Sequence, residues 1–179
     1  MKTLIIHHLE DCWEQGYKNR GTSFSELCEK FGKYLTENEF DKVILTRWEN
    51  HEAHAEDYIY ESDELEEFDG EQYPVQRSLT EFIHNVHTYC YGWDFDMIKN
   101  EDDEIPEKNE NGEYTTEHGE TYCEGGSHSQ IVLVDDWMKQ LPKENVFISG
   151  AFDGECVEDL EIALTHLNID YTRVSSLIV

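Results

Sequence analysis

The chain has 179 residues, 41 of them acidic and 13 basic, giving a net charge of −28 at pH 7 with 38% hydrophobic residues. That length suits one domain with an apolar core. The charge excludes direct binding to nucleic acid or to an anionic membrane surface, which needs Lys and Arg, and no stretch approaches the ~20 apolar residues that span a bilayer.

The segment from Met1 to His8 is too short an apolar run for a signal peptide and lacks a small-residue cleavage site. It reads as a first strand, Leu4 to His8. Ser23 and Glu26 have capping-box spacing and open a helix with Phe24, Leu27, Cys28, Phe31, Tyr34 and Leu35 at helical intervals. Val43 to Trp48 is the next strand. Ser78 and Glu81 repeat the capping pattern, and Leu79, Phe82, Ile83, Val86 and Cys90 predict a second helix. Val134, Trp137, Met138 and Leu141 mark a third, stopped by Pro142. Val146 to Gly150 is a strand, Cys156 to Leu167 a fourth helix, and Tyr171 to Val179 a closing strand. Strands alternating with helices imply a Rossmann-like three-layer α/β sandwich with a mainly parallel sheet, a single domain over residues 1–179.

Acid is unevenly spread. Glu49 to Glu71 holds 11 Asp or Glu and no Lys or Arg, and Asp94 to Glu124 holds 12 acids against Lys99 and Lys108. These windows read as acidic insertions at about 49–73 and 94–126, the second a loop or short hairpin around Pro106, Gly112 and Gly119. Aromatics interleave the carboxylates, as in a surface that imitates a phosphate backbone and occupies a basic groove; a solvated face is the plainer reading.

Five cysteines (Cys12, Cys28, Cys90, Cys123 and Cys156) form no CxxC pair. That argues against a disulfide framework or zinc ribbon and for a reducing, cytoplasmic setting (a host's cytoplasm if the protein is viral). Histidines recur as His7 with His8, His51 with His54, and His84 with His87, but no third ligand stands at a recognised metal spacing, so neither a metal nor a cofactor is expected.

In a parallel sheet, ligands bind beyond the carboxyl ends of the strands. Those ends carry His8, Glu10 and Asp11; Arg47 and Glu49; and Asp153, Glu155 and Cys156. A cysteine in a first helical turn gains thiolate character from the helix dipole and free amides. Cys156 is thus the candidate nucleophile, with His8 as base and Asp153 or Glu10 orienting it. Arg47 is the candidate for holding a substrate carboxylate or phosphate bidentately, with Glu49, Asp11 and Glu155 lining the substrate side. The bland alternative is that Cys156 packs under the sheet and Asp153 merely caps the helix.

Gly150, Cys156 and Val157, with the opening strand Leu4 to His8 followed by Trp13, resemble the isochorismatase-like cysteine hydrolases. In that family a strand-ending glycine precedes the nucleophilic cysteine by six positions, Val commonly follows it, and the first strand ends in a catalytic aspartate. His8 stands in the aspartate's place, the segment from Ser127 to Trp137 corresponds to the stretch before the cysteine strand, and the catalytic lysine has no counterpart. The resemblance implies a hydrolase, or a degenerate relative of one, acting on a small amide or acyl substrate. The general look is also similar to small proteins encoded by tailed phages. The rival expectation is a non-catalytic acidic decoy that inhibits a nucleic-acid-handling or defence enzyme by occupying its basic surface. A homodimer is compatible with either.

Overall fold

The computed structural model describes residues 1–10, 13–48, 79, 82–89, 95–99, 105–126 and 129–179. The first acidic window, Asp11, Glu49, Ser78, Glu81 and Cys90 lie outside the described residues, as does the question whether the two acidic windows share a face.

The central sheet contains β1 (Thr3–His7), β2 (Lys42–Trp48), β3 (Asn85–Tyr89), β7 (Val146–Gly150) and β8 (Tyr171–Ile178), in the order β3-β2-β1-β7-β8. Every pairing within it is parallel. A second, three-stranded antiparallel sheet orders β4 (Tyr114–Thr115), β5 (Thr121–Glu124) and β6 (Ile131–Leu133). The expected hairpin in the second acidic window is thus β4–β5.

Burial explains why β1 is central. All five of its residues are buried, and Leu4, Ile5 and Ile6 are fully excluded from solvent, each burial stabilising the fold by ~1.5–3 kcal/mol. Because strand side chains alternate faces, Leu4 and Ile6 join one core while Ile5 joins the other. The first core adds Val43 and Leu45 of β2, Tyr17 of α1 (Glu14–Asn19) and Leu27, Phe31 and Leu35 of α2 (Phe24–Glu37). The second adds Ile44, Val146 and Ile148, Met138 of α3 (Asp136–Lys139), and Val157, Leu160 and Leu164 of α4 (Cys156–His166). Helices therefore cover both faces, and the three-layer parallel α/β arrangement is what the alternating sequence pattern predicts. The α2 cap forms as its spacing predicts: the Ser23 hydroxyl accepts from the Glu26 N–H at 3.2 Å.

The helix expected from Leu79 to Cys90 is corrected: residues 85–89 are β3, paired with β2 from Ile44↔Asn85 to Trp48↔Tyr89. The segment contains the strand-favouring residues Val86, Thr88 and Tyr89, and the open edge of β2 supplies the hydrogen bonds that a local apolar period does not register. The helix expected around Val134–Leu141 shortens to the single turn of α3.

Strand order reverses direction at β1. From β1 the chain moves to β2 and β3 on one side, then crosses to β7 and β8 on the other. The carboxyl ends of β1 and β7 consequently diverge into connections on opposite faces, leaving a crevice between them. Among the described residues no helix is long and apolar enough to cross a membrane.

Candidate functional site

Two connections meet at this crevice. The first leaves β1 through His8, whose backbone takes a left-handed φ of 50° while its N–H donates to the Thr46 carbonyl at 3.1 Å. The second leaves β7 through Gly150 and enters α4 at Cys156. Gly150 is required there: its φ is +115°, and a β-carbon would stand 1.9 Å from the His7 carbonyl oxygen. This close approach lets the Ala151 N–H donate to that same carbonyl at 2.9 Å. The Phe152 carbonyl then accepts from the Glu155 and Val157 amides at 3.1 and 3.2 Å, turning the chain into the helix.

Between the two connections lies a cavity of about 50 Å³ lined by His8, Trp13, Ala151, Phe152, Glu155 and Cys156. The volume is small against the ~300–1,000 Å³ of a typical ligand pocket, so it accommodates a reacting head group rather than a whole cofactor. His8 is 1% exposed and Cys156 6%.

The Cys156 thiol is pushed up to about 12, first by burial and then by the negative charges of Asp159 and Glu155. Placement at a helix start therefore does not ionise it, contrary to the expected thiolate character. A thiol in this setting is protonated at neutral pH and needs a base within reach before it can act as a nucleophile.

His7 organises the site from behind. It is fully buried, its Nδ1 lies 2.7 Å from the Thr46 hydroxyl, and its ring stacks on His8 with centroids 3.9 Å apart. Burial lowers its pKa well below the ordinary value, the neighbouring His8 lowers it further, and a hydrogen bond with the Cys156 main chain opposes both. His7 thus ties β1, β2 and the start of α4 together in its neutral form.

Tyr17 performs a similar service for the β1–α1 connection. Its hydroxyl donates to the His8 carbonyl at 3.1 Å and accepts from the Glu10 N–H at 3.2 Å. The Glu10 carboxylate in turn accepts from the Trp13 indole N–H at 3.4 Å, so it holds a wall of the cavity.

The other sequence candidates are distributed as follows. Asp153 pairs with Arg173 at the surface, with its main-chain N–H on Val179; it belongs to the β7–β8 edge, and the cavity lining does not include it. Arg47 is 7% exposed at the end of β2 and is also outside that lining. Glu155 lines the cavity and accepts from Arg20 at 2.5 Å. With side-chain exposures of 33% and 40%, that pair contributes at most ~1 kcal/mol to stability. Arg20 also lies 4.1 Å over the Phe152 ring.

Sequence reasoning overlooked Arg20, Phe152 and Asp159. Asp159 is fully buried, bonded to the Ser129 hydroxyl at 2.9 Å, and its spacing of three from Cys156 on one helix was an available signal. Arg20 had none, being 135 residues from its partner.

His84 and His87 do not share a helical face: the His84 Nδ1 accepts from the Val43 N–H at 2.9 Å, whereas His87 stacks on Trp137 at 4.9 Å. Among the described residues no group of three or more His, Cys, Asp or Glu side chains is placed to hold a metal ion.

Set against protein-family models, curated proteins and solved structures, the chain matches none of them.

Proposed function

We propose that the protein is a cysteine-dependent hydrolase of isochorismatase-like type acting on a small amide or other acyl compound. The observation that carries this reading is the shared cavity of His8 and Cys156 at the point where the strand order reverses. Cys156 starts a helix six residues after the strand-ending Gly150, which is the spacing of the family it resembles, and His8 occupies the place of that family's acid.

The chemistry follows from the protonated thiol. His8 removes the thiol proton as sulfur attacks the acyl carbon, forming a C–S bond and a tetrahedral intermediate. The C–N bond then breaks, the leaving amine takes the proton from His8, and a thioester remains. Water attacks that thioester with His8 again accepting a proton, releasing a carboxylic acid and regenerating the thiol. The sum is amide plus water to acid plus amine. Histidine suits both transfers because its ordinary pKa lies near neutrality.

The test is turnover of a panel of small amides, imides and activated esters by the wild type and by Cys156→Ala and His8→Ala. Mass spectrometry of the quenched reaction should find an acyl adduct on Cys156 in the wild type. Cys156→Ala should abolish the adduct and turnover; His8→Ala should lower turnover by ~10²–10⁴-fold. Turnover retained in Cys156→Ala, or no adduct and no turnover across the panel, would remove the reading.

A further inference from the structure

We propose that Arg20, which is not part of the cavity lining but sits at its rim on the lining residues Glu155 and Phe152, binds the carboxylate of a substrate at Cys156, and that Glu155 occupies its binding position until an anionic substrate displaces it. The inference rests on the nucleophile reading above and narrows it to small acyl compounds bearing a carboxylate close to the scissile bond.

The argument begins with how Arg20 is held. One guanidinium nitrogen donates to the Glu155 carboxylate at 2.5 Å and the other to the Gly16 carbonyl at 3.4 Å. The group lies 4.1 Å over the face of Phe152, and that ring is itself fixed edge-on to Trp13 at 6.3 Å and against Tyr17 at 5.3 Å. Space for it comes from Gly16, where a β-carbon would stand 2.5 Å from the tip of the ring. Arginine is therefore stacked and oriented before any ligand arrives, which reduces the ordering cost of binding a carboxylate.

The partner now on Arg20 is suited to being exchanged. Glu155 lines the cavity immediately before the nucleophile, and both members of the pair are a third or more exposed, so solvent screens their attraction. Its charge also raises the thiol pKa. A substrate carboxylate that takes Arg20 moves Glu155 outward and brings its own charge in place of that of Glu155, so the exchange leaves the charge near the thiol unchanged. What binding an anion supplies is orientation of the acyl group against Cys156. A neutral substrate of the same size lacks that anchor.

Two alkylating reagents of nearly equal size test this without a known substrate. Iodoacetate carries a carboxylate and iodoacetamide a neutral amide. In each case the Cys156 sulfur forms a C–S bond to the methylene carbon, iodide leaves with the bonding pair, and the thiol proton passes to His8 or solvent. Peptide mapping of the full-length protein gives the rate at Cys156 for each reagent, and their ratio, normalised to a free thiol, is the readout.

Glu155→Gln should raise that ratio about tenfold while Arg20 is present, by freeing a bidentate carboxylate partner. In an Arg20→Gln background the same change should raise it less than ~3-fold, the effect of removing one screened charge. Arg20→Lys should restore only part of the preference, because an ammonium lacks the planar fork. An equal response to Glu155→Gln with and without Arg20 would overturn the proposal, as would full restoration by lysine. If neither reagent labels Cys156 even in Glu155→Gln, both this proposal and the hydrolase reading fail. If the ratios behave as expected but no amide or ester is turned over, the carboxylate site stands and the hydrolase reading falls alone.

Discussion

Gly150 packs against His7 across the β1–β7 pair so tightly that the only side chain that fits there is a hydrogen atom; an added β-carbon would be 1.9 Å from the His7 carbonyl oxygen and 2.6 Å from its nitrogen. Both obstacles are backbone at the centre of the sheet, where neither strand can retreat. Gly150→Ala should therefore destabilise the protein by roughly 3 kcal/mol or more. Gly112→Ala is the control: it has a comparable positive φ of +79° but nothing within 4 Å, so it should cost only ~1–2 kcal/mol of backbone strain. Urea unfolding of both variants checks the contrast, and equal losses would mean that the close approach contributes nothing.

Tyr17→Phe removes the hydroxyl that bonds both the His8 carbonyl and the Glu10 N–H. Loss of ~1–3 kcal/mol is expected, since both bonds are buried. The β1–α1 connection should also loosen around His8, so hydrogen exchange at residues 8–10 should accelerate while exchange in β8 stays unchanged.

Acid stability depends on His7. Its pKa in the folded protein is lowered well below 6.5, chiefly by burial and then by the adjacent His8. A depressed folded pKa means that the contribution is present above the unfolded value and is lost as pH falls, because only the unfolded chain takes up the proton readily. Unfolding free energy should begin to drop as pH falls below about 6.5, with a slope of at most ~1.4 kcal/mol per pH unit from this residue. His7→Asn should be less stable at pH 7 yet show a shallower decline. A slope identical to that of the wild type would assign the acid sensitivity to other groups.

The thiols govern the alkaline side. Cys156 is raised from 9.0 to about 12 by burial and by Asp159 and Glu155, and Cys123 is raised to about 12 mainly by burial. A raised folded pKa gives stability that is whole below about pH 9 and is lost as pH climbs toward 12. Iodoacetamide labelling of Cys156 should accordingly keep rising through pH 10 with no plateau, while a free thiol levels off near pH 9.5. Cys123→Ala should flatten part of the stability loss between pH 9 and 11. A labelling plateau near pH 7 would show instead that the thiol is activated in the resting protein.

Local pattern alone determined most of the frame of this protein. The run Leu4–Ile6 reads as a buried strand, Ser23 and Glu26 set the start of α2, and Val146–Gly150 leading into Cys156 marks a strand-to-helix turn, because each depends on neighbours within a few residues. Residues 78–90 misled for the same reason: their apolar spacing is helical, but β3 is held by hydrogen bonds to β2, some 40 residues away. Tertiary structure alone decided the strand order, and with it that the ends of β1 and β7 would form the crevice. It also placed Arg20 on Glu155 and sent Asp153 to Arg173. A charged side chain on a loop takes whichever opposite charge the fold brings within a few ångströms, and sequence carries no record of that distance until the sheet has set it.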